Sequence, residues 1–504
     1  MKNTRKYTIK SRNVLGALLL IGQLITAPLY AKQSEYQQPI PSQQHVEVLK
    51  PKNDTREYRS ITLSNNIRTM LVSDPKLENF SVNLRLAEGR LGDPSDQRGF
   101  AHLYEHMIYG GSVRYTVFEY FSEHAKNIRT IDVNDKERSV GKAFANSTEL
   151  GFYVTTNKTD KALVVFNQYL QAEFTSKEIK RGIRALNRHR VDKQAEMGKM
   201  LFADASPLHP IRYFEGNPVN HVARSDSRED IKALRKQLLA HHKAKFSANN
   251  MTLVVVGPNS LDKLAEYVEH YFSFIPSFPV EHKNITVEAY PKESLPHTLY
   301  IEPKDYLQNL SNRLTVQFFI PNNLKDWQTN PNEYVSWLLT NNDSSSLKRK
   351  LVDLNYISSI NVDSSPKQFG SSGYLNVGVA LTQTGELNRQ KIIDLIYQYT
   401  SQLKGKVLVK DNYLKYIADA NKNFEQTEVL DGKKLASKLS ENLFTYPGQY
   451  ALKGEYTALR FDASAIQTVL NSLKVDNSRV IQFKQQPDMT IDPSLPFKYK
   501  VVNK

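Results

Sequence analysis

The sequence has no cysteine in 504 residues. Disulfides and thiolate metal sites are therefore excluded, and a metal ion can be held only by histidine, aspartate or glutamate. Long apolar runs are also missing, except one near the N-terminus, "VLGALLLIGQLITAPLYA" at residues 14–31. Gly22, Gln23 and Pro28 break that run, and Lys2, Arg5, Lys6, Lys10 and Arg12 precede it. This is the pattern of a secretory signal peptide over residues 1–31, cut after Ala31, rather than a membrane anchor. The expectation is an exported chain, periplasmic or secreted, with no stable membrane span after signal cleavage. Acidic residues are outnumbered, 52 against 67 basic, for a formal charge of +15. The basic residues are spread along stretches such as "KALRKQLLAHHKAKF". Mixed polar helix faces explain them, and no nucleic acid is expected as a partner.

A chain of this length exceeds what one hydrophobic core normally serves, so two domains are expected. Residues 32–50 are Gln-rich, hold two prolines and read as a linker. The first domain is placed at 51–280. "YRSITLSNNIRTMLVSD" reads as two strands about a turn at "SNN", "NFSVNLRLAEG" as a strand and "ANNMTLVVVGP" as a buried strand. "FTSKEIKRGIRALNRHRVDKQAEMGKM" reads as a long charged helix capped by Thr175 or Ser176. The order repeats more weakly in a second domain at 290–490, through "NRLTVQFFIP", "NEYVSWLLTNN" and "GYLNVGVALTQ". The fold class is α+β: two homologous domains, each a mostly antiparallel sheet packed by helices.

The chemistry is concentrated in "GFAHLYEHMIYGGS", residues 99–112, which holds His102, Glu105 and His106 as H-x-x-E-H. On a helix, positions i and i+4 share one face, so both imidazoles can meet one ion. Glu105 lies on the same side, placed to act as general base toward a metal-activated water. The second domain has no such motif. His241 and His242, adjacent on a basic helix, are expected to point apart, and His209 to lie in a loop.

"DPSDQRGFAHLYEHMIYGGSVRYTVFEYFSEHA" closely resembles the active-site segment of the pitrilysin and insulin-degrading-enzyme family, the inverted zincins. The resemblance extends through "HPIRYFEGNPVNHVARSD" and "KFSANNMTLVVVGPNSLDKLAEYV" and, less sharply, to about residue 485. It implies a half-shell of two related domains, a Zn2+ cofactor bound by His102 and His106, and Glu105 as catalytic base. The activity implied is that of a zinc metalloendopeptidase acting on peptides.

The sequence departs from the family in three places. The family's third zinc ligand, a glutamate, aligns with His189, and a second glutamate with Gly182. His189 is the expected third metal ligand, since three histidines form a known catalytic zinc set. The polar insertion "KNIRTIDVNDKERSVGK" precedes the substrate strand, and Lys142 stands where the family has a substrate-contacting asparagine. Lys142, Ala143, Phe144 and Ala145 are the expected substrate-binding residues. The strand from about Ala143 to Val154 is expected to be the edge onto which a peptide adds. Finally, the resemblance covers only the N-terminal half of a pitrilysin-type enzyme. It implies a partner, either a second copy of this chain or a separate second-half chain. The competing reading is a non-catalytic substrate-binding or scaffold subunit.

Overall fold

The asparagine-rich turn closes the first hairpin. Asn66 takes φ 75° there, a left-handed conformation that asparagine tolerates better than most residues. The computed structural model describes residues 47–94, 99–109, 139–144, 146–155, 163, 166–167, 170, 173–188, 193–213, 227–302, 310–406, 410–491 and 497–503. The signal segment, the linker up to residue 46, the polar insertion up to residue 138, Ala145 and His189 lie outside these residues. No helix among the described residues is long and apolar enough to cross a membrane.

The first sheet contains β1 (Glu57–Thr62), β2 (Arg68–Ser73), β3 (Asn79–Leu86), β4 (Ser139–Ala143), β5 (Thr148–Thr155) and β6 (Met251–Gly257). Its order is β1-β2-β6-β3-β5-β4. Only β2 and β6 are parallel. Helices α1 (Phe100–Tyr109), α2 (Ser176–Arg188), α3 (Lys193–Phe202), α4 (Arg228–Lys245) and α5 (Leu261–Phe272) belong to the same stretch of chain. Thr175 caps α2 in a reciprocal box. Its hydroxyl accepts from the Glu178 amide at 3.3 Å, and Glu178 accepts from the Thr175 amide at 2.7 Å.

The second sheet contains β7 (His297–Ile301), β8 (Arg313–Pro321), β9 (Ile357–Ser365), β10 (Ser372–Leu381), β11 (Ser478–Phe483), β12 (Thr490–Ile491) and β13 (Lys498–Asn503). Its order is β12-β13-β7-β11-β8-β10-β9. The run β13-β7-β11-β8-β10-β9 repeats the first sheet position for position. The parallel pair, β7 with β11, falls at the matching place. Its helices are α6 (Pro331–Thr340), α7 (Leu347–Asp353), α8 (Gln383–Leu387), α9 (Arg389–Lys406), α10 (Lys410–Glu425), α11 (Gly432–Thr445) and α12 (Ala463–Ser472). The fold is mixed α and β, with two helix-packed sheets that match in strand order and direction, though the outer strand β1 opens its sheet in the chain and its counterpart β13 closes the other.

Each sheet has its second face covered by the other stretch of chain. Every residue of β6 is buried. Leu253 and Val255 face the core that includes Leu103 and Met107 of α1. Val254 and Val256 point the other way, against Leu435, Leu439 and Leu443 of α11. Burying each such leucine stabilises the fold by about 1.5–3 kcal/mol. In return, Met200 and Ala203, at the end of α3 and just past it, pack on Leu299, Ile301 and Ile481 of the second sheet.

A buried ion cluster sits at this second crossing. Asp204 accepts from His297 Nε2 at 2.6 Å and from the Tyr290 hydroxyl at 3.1 Å, and it pairs with Arg479. The Asp204, His297 and Arg479 side chains are at most 2% exposed. Burial alone would raise the Asp204 carboxyl, but the charge of Arg479 and the bond from His297 hold it at about 2.

Candidate metal site

Helix α1 begins under an unusual cap. Asp93 reaches across the preceding loop to accept from the Gly99 amide at 2.7 Å and the Ala101 amide at 2.8 Å. Two of the free N–H groups of the first turn are satisfied in this way. Gly99 itself has φ 88°, the left-handed region where glycine carries no steric penalty. Phe100, Leu103, Tyr104, Met107 and Ile108 form the buried face. The opposite face carries His102 and His106, both half-buried, together with Glu105 at 5% exposure.

The motif residues converge. The imidazole centroids of His102 and His106 are 4.9 Å apart, with the rings tilted by 36°. His102 Nε2 lies 3.8 Å from Glu105 Oε2. One potential ligand atom from each of the three falls within 4.8 Å of the others. Two imidazoles beside a carboxylate form an N/O donor set of the kind zinc takes, so these residues fit that ion. Burial pushes the Glu105 carboxyl up to about 8, while Arg90 draws it down and Glu149 pushes it further up.

The substrate-strand expectation needs correction in its extent. The stretch from Ala143 to Val154 is not one edge strand. β4 ends at Ala143, a turn follows, and β5 is an interior strand between β3 and β4. The edge of the sheet is β4, where Lys142 pairs in register with Glu149 and Ala143 with Thr148. Phe144 lies in the turn, where its amide donates to Ser147 O at 2.7 Å and its carbonyl accepts from the Arg90 amide at 2.9 Å. The Arg85 guanidinium stacks 4.8 Å from the Phe144 ring centroid and pairs with Glu149 at 3.1 Å. Phe144 and Ser147 also line a cavity of about 1480 Å3 shared with Trp337, Lys367 and Tyr446, whereas His102, Glu105 and His106 do not line it.

His241 and His242 depart from expectation. Successive residues are about 100° apart on a helix, so both rings can flank one neighbour, and that neighbour is Tyr104. Its ring centroid lies 4.9 Å from that of His241 and 6.0 Å from that of His242. The Tyr104 hydroxyl is 2.7 Å from His242 Nδ1. Nothing in the local sequence signals this contact, because its partners are 138 positions apart. His209 is in a loop but fully buried, its Nδ1 accepting from the Ile211 amide at 3.0 Å. Gly182 faces α1, and a Cβ added there would lie 3.1 Å from Met107 and 3.4 Å from Leu103.

Burial lowers His241 and His242 to about 4, from 6.5. A base whose folded pKa is depressed leaves the fold intact above 6.5. Stability then falls as the pH drops toward 4, because the unfolded chain takes up the protons first. The thermal midpoint should decline across that window, and a His241→Phe/His242→Phe protein should decline less. Equal slopes would show that these rings do not govern the effect.

The chain matches three family models in succession. These are described as Insulinase (Peptidase family M16) over residues 68–212, Peptidase M16 inactive domain over 233–419, and Middle or third domain of peptidase M16 over 424–503. Insulin-degrading enzyme of Homo sapiens is 26% identical over 492 residues, covering 93% of this chain and 45% of that protein. Insulin-degrading enzyme-like 1, peroxisomal, of Arabidopsis thaliana is 24% identical over 478 residues, with 90% and 46% covered. The chain thus spans about half the length of the curated relatives it matches. The crystal structure of pitrilysin shares the fold at a TM-score of 0.79 and 22% identity, with 92% of this chain and 48% of that one covered. A protease from Helicobacter pylori has a TM-score of 0.56 at 17% identity, with 85% of this chain and all of that one covered. Placed on this fold, with H-x-x-E-H on α1 of the first sheet and none in the repeat, the chain belongs to the insulinase/pitrilysin family, peptidase family M16.

Proposed function

We propose that this chain is an exported zinc-dependent metalloendopeptidase acting on peptides. The observation that carries the reading is the convergence of His102, Glu105 and His106 on one face of α1. His102 and His106 would hold the ion, with His189 as the third ligand. When bound, zinc supplies Lewis acidity, making a water more acidic and polarising the carbonyl to be cut. Glu105 moves the proton: once ionised, its carboxylate takes it from the attacking water and returns it to the leaving amine nitrogen. The edge strand β4, with Lys142 and Ala143, offers its backbone to an extended peptide, and Phe144 follows at the turn.

The reading includes a partner, a second copy or a second-half chain. The Helicobacter pylori protease supports this, since that solved chain is matched over its whole length. One observation favours the competing reading of a non-catalytic binding or scaffold subunit. Gly182, where the family has a glutamate, is packed against the side-chain ends of Met107 and Leu103, which would have to shift to admit a longer side chain.

Elemental analysis of the purified mature chain tests the proposal, beside His102→Ala and His189→Ala proteins. About one zinc per chain is expected in the parent, with loss in both variants. A zinc-free parent would sink the enzymatic reading and leave the scaffold reading. Retention of zinc in His189→Ala would remove that residue from the ligand set.

A further inference from the structure

Helix α1 is fixed by apolar contacts on its buried face, and such contacts are non-directional. Asp93 fixes its N-terminal end through the Gly99 and Ala101 amides, and two further features act along its length. The first is the close crossing with α2 at Gly182, where a methyl group would already press on Met107. The second is a directional bond, from Tyr104 of α1 to His242 of α4 at 2.7 Å. Tyr104 is 1% exposed and lies between His241, His242 and Phe174, while His242 stacks on Phe246 with ring centroids 4.4 Å apart.

The position of Tyr104 gives this bond its leverage. It is two residues from His102 and two from His106, about 200° around the helix from each. A contact there fixes the azimuth of both imidazoles equally. At a radius of about 6 Å, a helix rotation of about 10° carries a side-chain tip about 1 Å. An error of that size in a metal or reacting geometry is costly in function. We infer that Tyr104 and His242 are positioning residues that set the rotation of α1, and hence the spacing of the His102–Glu105–His106 face. This rests on the zinc reading above.

The test is zinc affinity of the full chain, measured by competition with a chromophoric chelator. The proteins are the parent, Tyr104→Phe, His242→Leu and His242→Asn. Tyr104→Phe removes one oxygen and keeps the ring, so it preserves the packing. Asparagine carries an amide atom where histidine carries Nδ1, and leucine does not. Tyr104→Phe and His242→Leu are expected to weaken zinc binding by about tenfold or more, the scale seen when groups behind metal ligands are removed. His242→Asn should stay within about threefold of the parent. A distant core variant, Val377→Ala in the second sheet, should lower the thermal midpoint without changing zinc affinity.

Parent-like affinity in Tyr104→Phe and His242→Leu would overturn the inference and leave the zinc reading standing. Equal weakening in His242→Asn and His242→Leu would also overturn it, by assigning the effect to ring packing rather than to the bond. A parent that takes up no zinc overturns the zinc reading, and the positioning role with it.

Discussion

A Glu105→Gln protein is expected to lose peptide hydrolysis by about 10²–10⁴-fold, the usual contribution of a positioned general base. Glutamine keeps the shape of the side chain but accepts no proton. Glu105 is 5% exposed on the face of α1 that carries His102 and His106, so the exchange leaves the helix packing undisturbed. His102 and His106 remain, so zinc content and unfolding temperature should hold. The measurement is cleavage of a fluorogenic peptide by parent and variant, each with any partner that the parent requires. Parent-like turnover by the variant would remove Glu105 from the chemistry. An inactive parent that binds zinc would move the chain to the scaffold reading.

An Asp204→Asn protein should lose about 3–5 kcal/mol of stability, because it leaves a buried arginine without its counter-charge. Arg479 is fully buried, and its remaining partners are neutral: Gln317 Oε1 at 2.8 Å, the Leu201 carbonyl at 2.7 Å and the face of Tyr290. The wild-type cluster should also make the fold acid-sensitive in a defined window. Asp204 is held at about 2 against an ordinary 3.8, so its contribution is present above 3.8 and is lost as the pH falls toward 2. Chemical denaturation at neutral pH reads the first effect, and a pH series reads the second. An Asp204→Leu/Arg479→Met protein should recover much of the loss, since an apolar pair of similar volume often replaces a buried ion pair without cost. An unchanged midpoint in Asp204→Asn would refute the cluster's role.

Local pattern made much of this legible in the sequence. The two-residue alternation of β3, the buried run of β6 and the Thr175–Glu178 cap of α2 are set by neighbours in the chain, and all were readable. So was the H-x-x-E-H face, because helical spacing alone brings His102 and His106 together. Contacts across the chain were not readable. Asp93 caps α1 from six residues ahead of Gly99, outside the usual capping offset. The pairing of β4 with β5 places the sheet edge nearer the N-terminus than the family resemblance implies, because a turn within "AFANST" interrupts an otherwise strand-like run. Tyr104 with His242, and Asp204 with His297 and Arg479, are tertiary pairings that no period or motif encodes.

The seating of α11 on β6 has a consequence for synthesis. The last strand of the first sheet ends at Gly257, but the helix that covers its second face ends at Thr445, nearly 190 residues later. At about 5–20 residues per second, a ribosome needs roughly 10–40 s to supply it. A first sheet that formed before then would present Met70, Val72, Val254 and Val256 as a bare apolar strip. A nascent chain of this length is a natural client for a chaperone that shields hydrophobic surface. A truncation between these points would leave the strip open permanently and send the fragment toward aggregation rather than toward an independent fold.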